Sequence, residues 1–211
     1  MDIGVPAVFL RLSGCNLKCR ICDTPYAWER GESLSYSSLL SRIEGFPSRY
    51  LVVTGGEPLL QARALGGFLS LLSSWTLTLE TNATIWEPEV LGMFHLVTAS
   101  PKLSSAGGGA FPHETFGFYL SSLPPRLQVK LVVDEGDWEE VEALLERYPP
   151  LGHEVPLVIQ PLETGGDLGT YLERARALAR EFLERAARWD RGNVRFLLQL
   201  HKILWWGERG V

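Results

Sequence analysis

The sequence predicts an α/β fold, an incomplete (β/α)6-type barrel that stays open at one side. Short apolar runs alternate with helix-like runs, which is typical of parallel strands joined by helical crossovers. The apolar runs are nearly continuous, as expected for strands buried on both faces. The chain has 211 residues, fewer than the roughly 250 of a closed eight-unit barrel. We therefore expect one open domain over residues 1–211, with a doubly wound sheet as the alternative.

Strands are predicted where β-branched and large apolar residues run together, and helices where apolar residues recur every three or four positions. The predicted strands are Ala7–Leu12, Tyr50–Val53, Thr76–Leu79, Leu96–Ala99, Leu127–Val133, Val155–Ile159 and a shorter Val194–Leu198. The predicted helices are Tyr36–Glu44, Leu59–Ser73, Pro88–Met93, Trp138–Arg147 and Leu168–Trp189. In the last helix one buried face is predicted, formed by Leu172, Ala175, Leu178, Ala179 and Phe182.

Composition excludes several classes of protein. With a net charge of -5, the chain lacks the excess of basic residues that nucleic-acid-binding proteins carry. No apolar run reaches the length of a membrane span, and the first residues lack the pattern of a secretory signal. Cysteines without such a signal favour a reducing compartment. We therefore expect a cytoplasmic protein that binds neither nucleic acid nor membranes.

The three cysteines of the chain lie within eight residues, as Cys15-x3-Cys19-x2-Cys22. An odd, clustered set is a poor disulfide framework, and it is one ligand short of a closed zinc site. The spacing suits an iron–sulfur cluster that is held at three corners and open at the fourth. The alternative is a zinc knuckle that recruits a fourth ligand such as His113 or Asp23.

Polar signatures follow most of the predicted strands. Gly55 and Gly56 come after the second strand, where paired glycines let a ligand approach the backbone closely. Glu57 adds a carboxylate that can hold an ammonium group. The other signatures are Glu80-Thr81-Asn82, Ser100-Pro101-Lys102, Gln160-Pro161-Leu162 and Gln199-Leu200-His201-Lys202. Because ligands bind at the carboxyl ends of the strands in both candidate folds, we expect the site there.

The cysteine motif and the later Gly55-Gly56-Glu57-Pro58 together resemble the radical S-adenosylmethionine (radical SAM) superfamily. In that superfamily the open iron chelates the methionine moiety of SAM, and the Gly-Gly-Glu-Pro segment contacts its amino group. A narrower resemblance, to the 7-carboxy-7-deazaguanine synthase family, runs from the first strand almost to the C-terminus. Its segments are Phe9–Leu17, Cys22–Trp28, Gly55–Gln61, Glu80–Asn82, Ser100–Lys102 and Gln199–Lys202. Asp23-Thr24 and His201-Lys202 are the most discriminating of these matches.

The resemblance implies a reaction and its cofactors. Enzymes of that family convert 6-carboxy-5,6,7,8-tetrahydropterin to 7-carboxy-7-deazaguanine, on the route to queuosine and other 7-deazapurines. They use a [4Fe-4S] cluster, SAM and Mg2+. A 5'-deoxyadenosyl radical takes a hydrogen from C6 of the pterin, the ring contracts and ammonia is lost. The resemblance further implies a homodimer and a flavodoxin- or ferredoxin-type electron donor.

The resemblance also implies roles for single residues. Cys15, Cys19 and Cys22 hold the cluster, and Thr24 supplies an oxygen ligand to Mg2+. Arg11, Thr54 and His201 face the substrate, with the forked guanidinium of Arg11 on the substrate carboxylate. The residues implied to bind SAM are Ile21, Cys22, Asp23, Gly56, Glu57, Ser100, Pro101, Lys102 and Gln160.

Two alternatives belong to other functional classes. A glycyl-radical activating enzyme uses the same cluster and SAM but acts on a partner protein, and Asp23-Thr24 and the His201-Lys202 tail argue against it. A zinc-binding interaction module is the non-enzymatic alternative. The family's Gln-Gly-Glu-Gly-like segment upstream of the first strand does not occur in residues 2–6. We therefore expect a different chain start or another segment to supply that side of the substrate site.

Overall fold

A computed structural model describes residues 3–29 and 31–208 of the chain. Its strands form an open parallel sheet in chain order, β1 to β7, as the sequence predicts. The chain divides into two compact units. The first comprises the described parts of residues 1–18, 22–101 and 112–128, and the second those of 19–21, 102–111 and 129–211. That residues 1–211 form a single domain stays a prediction, and residues 1, 2, 30 and 209–211 lie outside the described part.

The first unit is built on β1 to β4. These strands span Val8–Leu12, Tyr50–Gly55, Thr76–Thr81 and Leu96–Ala99. Each pairs in parallel with the next, and Arg11 on β1 lies opposite Thr54 on β2. The helices of this unit are α1 (Tyr36–Glu44), α2 (Ala62–Leu69), α3 (Pro88–Leu91) and α4 (His113–Ser122). Helix α1 begins where the sequence predicts, because the Ser35 hydroxyl oxygen accepts a bond of 3.2 Å from the backbone N–H of Ser38.

The second unit holds most of β5 (Leu127–Val133), together with β6 (Leu157–Pro161) and β7 (Val194–Phe196). These strands are also parallel, with Leu131 opposite Ile159 and Ile159 opposite Phe196. The helices are α5 (Trp138–Arg147), α6 (Leu168–Ala186) and α7 (Leu200–Leu204). The short predicted run near residue 194 is therefore a strand.

Helix α6 buries one face, close to the face that its sequence predicts. Tyr171, Ala175, Leu178 and Phe182 are buried at steps of three and four residues. Leu172, which the apolar pattern placed on this face, is only partly buried. The aromatic Tyr171 takes the first position of the buried stripe instead, one residue earlier.

Several helical features differ from the prediction, and α3 and α6 also end earlier than predicted, at Leu91 and Ala186. The predicted helix Leu59–Ser73 begins as a 3-10 turn at Pro58–Gln61 and continues as α2. Helix α4 was not predicted, because its sequence contains Gly117 and residues of modest helix propensity. Helix α7 is only five residues long and lies in a C-terminal segment for which the sequence predicts no helix.

No helix in the described ranges is both long and apolar enough to cross a bilayer.

Candidate functional site

In the first unit, Arg11 and Thr54 share one face at the carboxyl ends of their strands. They are register partners in the parallel β1–β2 pair, so their side chains point to the same side of the sheet. The Arg11 guanidinium is exposed and lies 5.9 Å from the centroid of the Tyr26 ring. Tyr26 is 40% exposed, so the cation rests on an aromatic surface that leaves it open to an anion. The structure thus brings together two of the predicted substrate residues.

The loop after β2 packs directly on the first cysteine. The backbone N–H of Glu57 donates a bond of 2.8 Å to the carbonyl oxygen of Gly14. A Cβ on Gly56 would collide with that same carbonyl and lie 2.8 Å from Cβ of Cys15. Only glycine allows this approach. The predicted pair Gly55-Gly56 therefore allows the loop after β2 to pack closely against the cysteine motif.

Glu57 is fully buried, at 0% exposure. Its Oε1 accepts bonds from the backbone N–H of Leu59 at 3.0 Å and from the Thr81 hydroxyl at 2.9 Å. Its Oε2 accepts a bond of 2.7 Å from the backbone N–H of Asn82. A buried carboxylate needs such donors, because desolvation of the charge is costly. Glu57 thus joins the loop after β2 to the end of β3.

A second network runs from the end of β3 to the cysteine motif. The Asn82 side-chain amide donates to Oδ1 of Asn16 at 3.0 Å, and Nδ2 of Asn16 donates to the Thr84 hydroxyl at 2.8 Å. Oδ1 of Asn82 accepts from both the N–H and the hydroxyl of Thr84. Asn16 directly follows the first cysteine. No role is predicted for these residues, although Asn16 and Asn82 belong to the predicted segments Phe9–Leu17 and Glu80–Asn82.

The three cysteines form no disulfide with one another. Cys19 is buried, whereas Cys15 and Cys22 are partly exposed. Within residues 3–29 and 31–208, no group of three or more His, Cys, Asp or Glu side chains is placed to hold a metal ion. The donor chemistry, three reduced thiols of which Cys15 lies beside the close approach at Gly56, suits an iron–sulfur cluster. His113, the alternative zinc ligand, is the first residue of α4.

Thr24 lies beside the last cysteine. Its hydroxyl oxygen is 3.7 Å from Sγ of Cys22. Thr24 precedes the 3-10 helix Pro25–Trp28, but its side chain makes no capping bond there. That turn is fixed instead by backbone bonds, including one of 2.8 Å from Gly14 N–H to the carbonyl oxygen of Ala27. The hydroxyl is therefore not used in closing the turn and can serve as an oxygen ligand.

The remaining predicted residues are distributed between the two units. Ser100 and Pro101 are buried in the first, where the Ser100 N–H donates to the carbonyl oxygen of Thr81 at 2.8 Å. Asp23 is exposed in the same unit. The second unit contains Ile21, Lys102, Gln160 and His201, all of which are partly buried. Gln160 lies on β6 and His201 on α7.

The middle of the cysteine motif is bound to a turn of the second unit. The backbone N–H of Arg20 donates to the carbonyl oxygen of Ala106 at 2.9 Å, and its guanidinium donates to that of Ser105 at 3.0 Å. The Ser105 hydroxyl in turn donates to Oδ2 of Asp137 at 2.9 Å. Burial raises the pKa of Asp137, although the bonds from Ser105 and from the Asp134 backbone oppose this. Sequence reasoning missed this turn.

Helix α7 is anchored to the end of β6. The Gln199 side chain donates to the carbonyl oxygen of Pro161 at 2.9 Å, and its backbone N–H donates to the Tyr171 hydroxyl at 3.0 Å. Lys202 forms a salt bridge of 2.9 Å with Glu163. Burial raises the pKa of Tyr171 above its ordinary value, although the bond from the backbone N–H of Gln199 opposes this. These contacts fix the helix that carries His201.

Comparison with known proteins matches residues 10–100 to the radical SAM superfamily. A 7-carboxy-7-deazaguanine synthase of Aquifex aeolicus (strain VF5) is 31% identical over 205 residues, covering 95% of this chain and 85% of the relative. One from Pyrobaculum aerophilum is 33% identical over 223 residues, covering 100% and 90%. The crystal structure of QueE from Escherichia coli has a TM-score of 0.62 and 26% identity, covering 93% of this chain and 86% of that one. This likeness supports the open α/β fold.

Proposed function

The chain belongs to the 7-carboxy-7-deazaguanine synthase family of the radical SAM superfamily, and from this we propose how its residues carry out the family's reaction. The protein converts 6-carboxy-5,6,7,8-tetrahydropterin to 7-carboxy-7-deazaguanine with loss of ammonia. A [4Fe-4S] cluster and SAM, when bound, supply the radical that starts the ring contraction. The protein's own residues bind, orient and shield the reactants.

We assign Cys15, Cys19 and Cys22 as the cluster ligands. The observation that carries this assignment is the contact of Gly56 with Gly14 and Cys15. It brings the Gly-Gly-Glu-Pro loop, which contacts the amino group of SAM across the superfamily, against the first ligand. The Gly-Gly-Glu-Pro loop would then hold the methionine moiety next to a cluster bound by these cysteines.

We assign Arg11 and Thr24 to the carboxylate end of the pterin. The Arg11 guanidinium can donate two parallel bonds to a carboxylate, a geometry that lysine cannot reproduce. Thr24 offers a hydroxyl oxygen to Mg2+, a cation that commonly bridges protein oxygens and substrate oxygens. The 5.9 Å contact of Arg11 with the Tyr26 ring, two residues after Thr24, supports a shared anion site. Thr54, opposite Arg11, then faces the same substrate.

The SAM-binding assignments rest on motif positions. Gly56, Ser100 and Pro101 end strands or follow them in the first unit. The buried carboxylate of Glu57 holds the same loop in place through its hydrogen bonds. The further residues assigned to SAM are Ile21, Cys22, Asp23, Lys102 and Gln160. His201 is assigned to the substrate, and the anchoring of α7 supports a fixed position for its imidazole.

Cellular context belongs to the same proposal. We propose a cytoplasmic homodimer that receives its electron from a flavodoxin- or ferredoxin-type protein. Reduced thiols suit the cytoplasm, and the net charge of -5 supports the absence of a nucleic-acid partner.

The decisive experiment uses the anaerobically reconstituted full chain with the pterin, SAM, Mg2+ and a reductant. We expect 7-carboxy-7-deazaguanine, detected by mass, and release of ammonia. SAM cleavage without this product would instead favour a glycyl-radical activating enzyme. Zinc without inorganic sulfide in the purified protein would favour the interaction module. Either result would overturn the assignment.

A further inference from the structure

We propose that Asn16 and Asn82 are positioning residues that hold Cys15 in place for cluster binding, with Glu57 as their anchor. The inference rests on the proposed function, because it takes Cys15 as a cluster ligand. It concerns residues with no predicted contact to the cluster itself. Partners of this kind orient metal ligands and often change metal affinity strongly when they are lost.

The anchor of the chain of bonds is the carboxylate of Glu57. It is fully buried and accepts three bonds, two of which come from Thr81 and Asn82 at the end of β3. Bonds to a charged acceptor are about twice as strong as neutral ones. Glu57 therefore fixes the backbone of Asn82 firmly relative to the loop after β2.

The Asn82 side chain has only one orientation in this network. Its Oδ1 accepts from the N–H of Thr84 at 3.0 Å and from the Thr84 hydroxyl at 2.7 Å. Its amide nitrogen must then point to Asn16. The intervening Ala83 adopts a left-handed conformation, with φ of 61°. A residue with a side chain rarely adopts this conformation, so the surrounding bonds hold this turn against strain.

Asn16 uses both polar atoms of its side chain in this contact. Oδ1 accepts from Asn82, and Nδ2 donates to Thr84. On the other side of Cys15, the Gly14 carbonyl oxygen accepts the N–H of Glu57. Cys15 is thus held on one side by the carbonyl oxygen of Gly14 and on the other by the side chain of Asn16. Both restraints lead back to Glu57.

The test compares Asn16→Ala, Asn82→Ala and the double variant with the wild type, each reconstituted anaerobically as the full chain. The first measurement is the rate at which an iron chelator removes the cluster. We expect release to be about tenfold faster or more in each single variant. Because both substitutions break the bond between Asn16 and Asn82, the increase in the double variant should be smaller than the product of the two single increases.

Ser48→Ala is the matched control. It also removes side-chain bonds between two segments of the first unit, to Pro6 and Tyr50, but at the other end of β2. Its release rate should equal that of the wild type. Asn16→Asp keeps the acceptor for Asn82 and should be intermediate. Asn16 is exposed, so its variants keep the core intact even where Asn82→Ala lowers stability.

Unchanged iron release in Asn16→Ala would overturn the inference. Release that tracks the thermal stability of the apoprotein across all variants, Ser48→Ala included, would also overturn it, since the role is then only structural. Failure of the proposed function gives different results. If the cysteines are not cluster ligands, the wild type itself binds no [4Fe-4S] cluster. If the protein is a glycyl-radical activating enzyme, the wild type binds the cluster and cleaves SAM but forms no 7-carboxy-7-deazaguanine.

Discussion

Arg11 lies directly opposite Thr54 in the parallel register of β1 and β2. The pairing places a cation and a hydroxyl side by side at the ends of the two strands. Gly55, the next residue on β2, pairs with Leu12 and begins the loop that reaches the first cysteine. One register therefore sets the distance between the pair Arg11 and Thr54 and the cysteine motif.

Substitution of Arg11 by lysine tests this arrangement. The charge is kept, but the bidentate geometry and the contact with Tyr26 are lost. Since a bond to a charged group is worth about 1.5–3 kcal/mol, we expect KM for the pterin to rise about tenfold or more. SAM cleavage in the absence of pterin should not change. Arg49→Lys, which alters a similar contact with Trp75, is the control, and an equal effect there would contradict the assignment.

Thr24→Val removes a hydroxyl and keeps the shape of the side chain. We expect a higher Mg2+ concentration for half-maximal activity and an unchanged iron and sulfide content, because the proposal makes the hydroxyl a ligand to Mg2+ and not to the cluster. Thr24→Ser restores the oxygen and should restore the Mg2+ response. If valine leaves the Mg2+ titration as it is in the wild type, Thr24 is not a ligand of the metal.

Cys15→Ala removes one corner of the cluster. A complete cluster holds about four iron and four sulfide ions per chain. We expect the iron and sulfide contents of this variant to fall well below that value, and SAM cleavage to be lost. His113→Ala is the control, because His113 is the alternative zinc ligand. A zinc content that falls in both His113→Ala and Cys15→Ala, without inorganic sulfide, would favour the zinc-type site.

The strands could be predicted because their apolar, β-branched runs are local signals. The cysteine and Gly-Gly signatures are local as well, so both were found. The bond between Asn16 and Asn82 joins residues 66 positions apart in the chain, and no spacing rule connects them. Helix α4 was missed because Phe118, which is 46% exposed, and Gly117 obscure the buried stripe of Phe116, Tyr119 and Leu120.

Tyr171→Phe should weaken the anchoring of α7. The substitution leaves the buried N–H of Gln199 without its acceptor, at a cost of about 1–3 kcal/mol. Denaturant unfolding measures this loss, and KM for the pterin should rise because α7 carries His201. Tyr36→Phe removes an exposed hydroxyl that bonds the carbonyl oxygen of Ala64 and should cost much less, since water can replace that bond. Equal losses of unfolding free energy in the two variants would show that the Tyr171 bond contributes no more to stability than the exposed Tyr36 bond.

Asp137→Asn should change how stability depends on pH. Asp137 is 2% exposed, and burial, followed by the charges of Glu140 and Asp134, raises its pKa in the folded state. Between the ordinary value of about 3.9 and this raised pKa, the folded state holds more protons than the unfolded state, so stability falls as pH rises. Asparagine cannot ionise, so the variant should lack this decline when the free energy of unfolding of the apoprotein is measured across that range. Ser105→Ala removes a bond that lowers the pKa of Asp137, so there the decline should extend to higher pH. An Asp137→Asn curve parallel to that of the wild type would contradict the assignment.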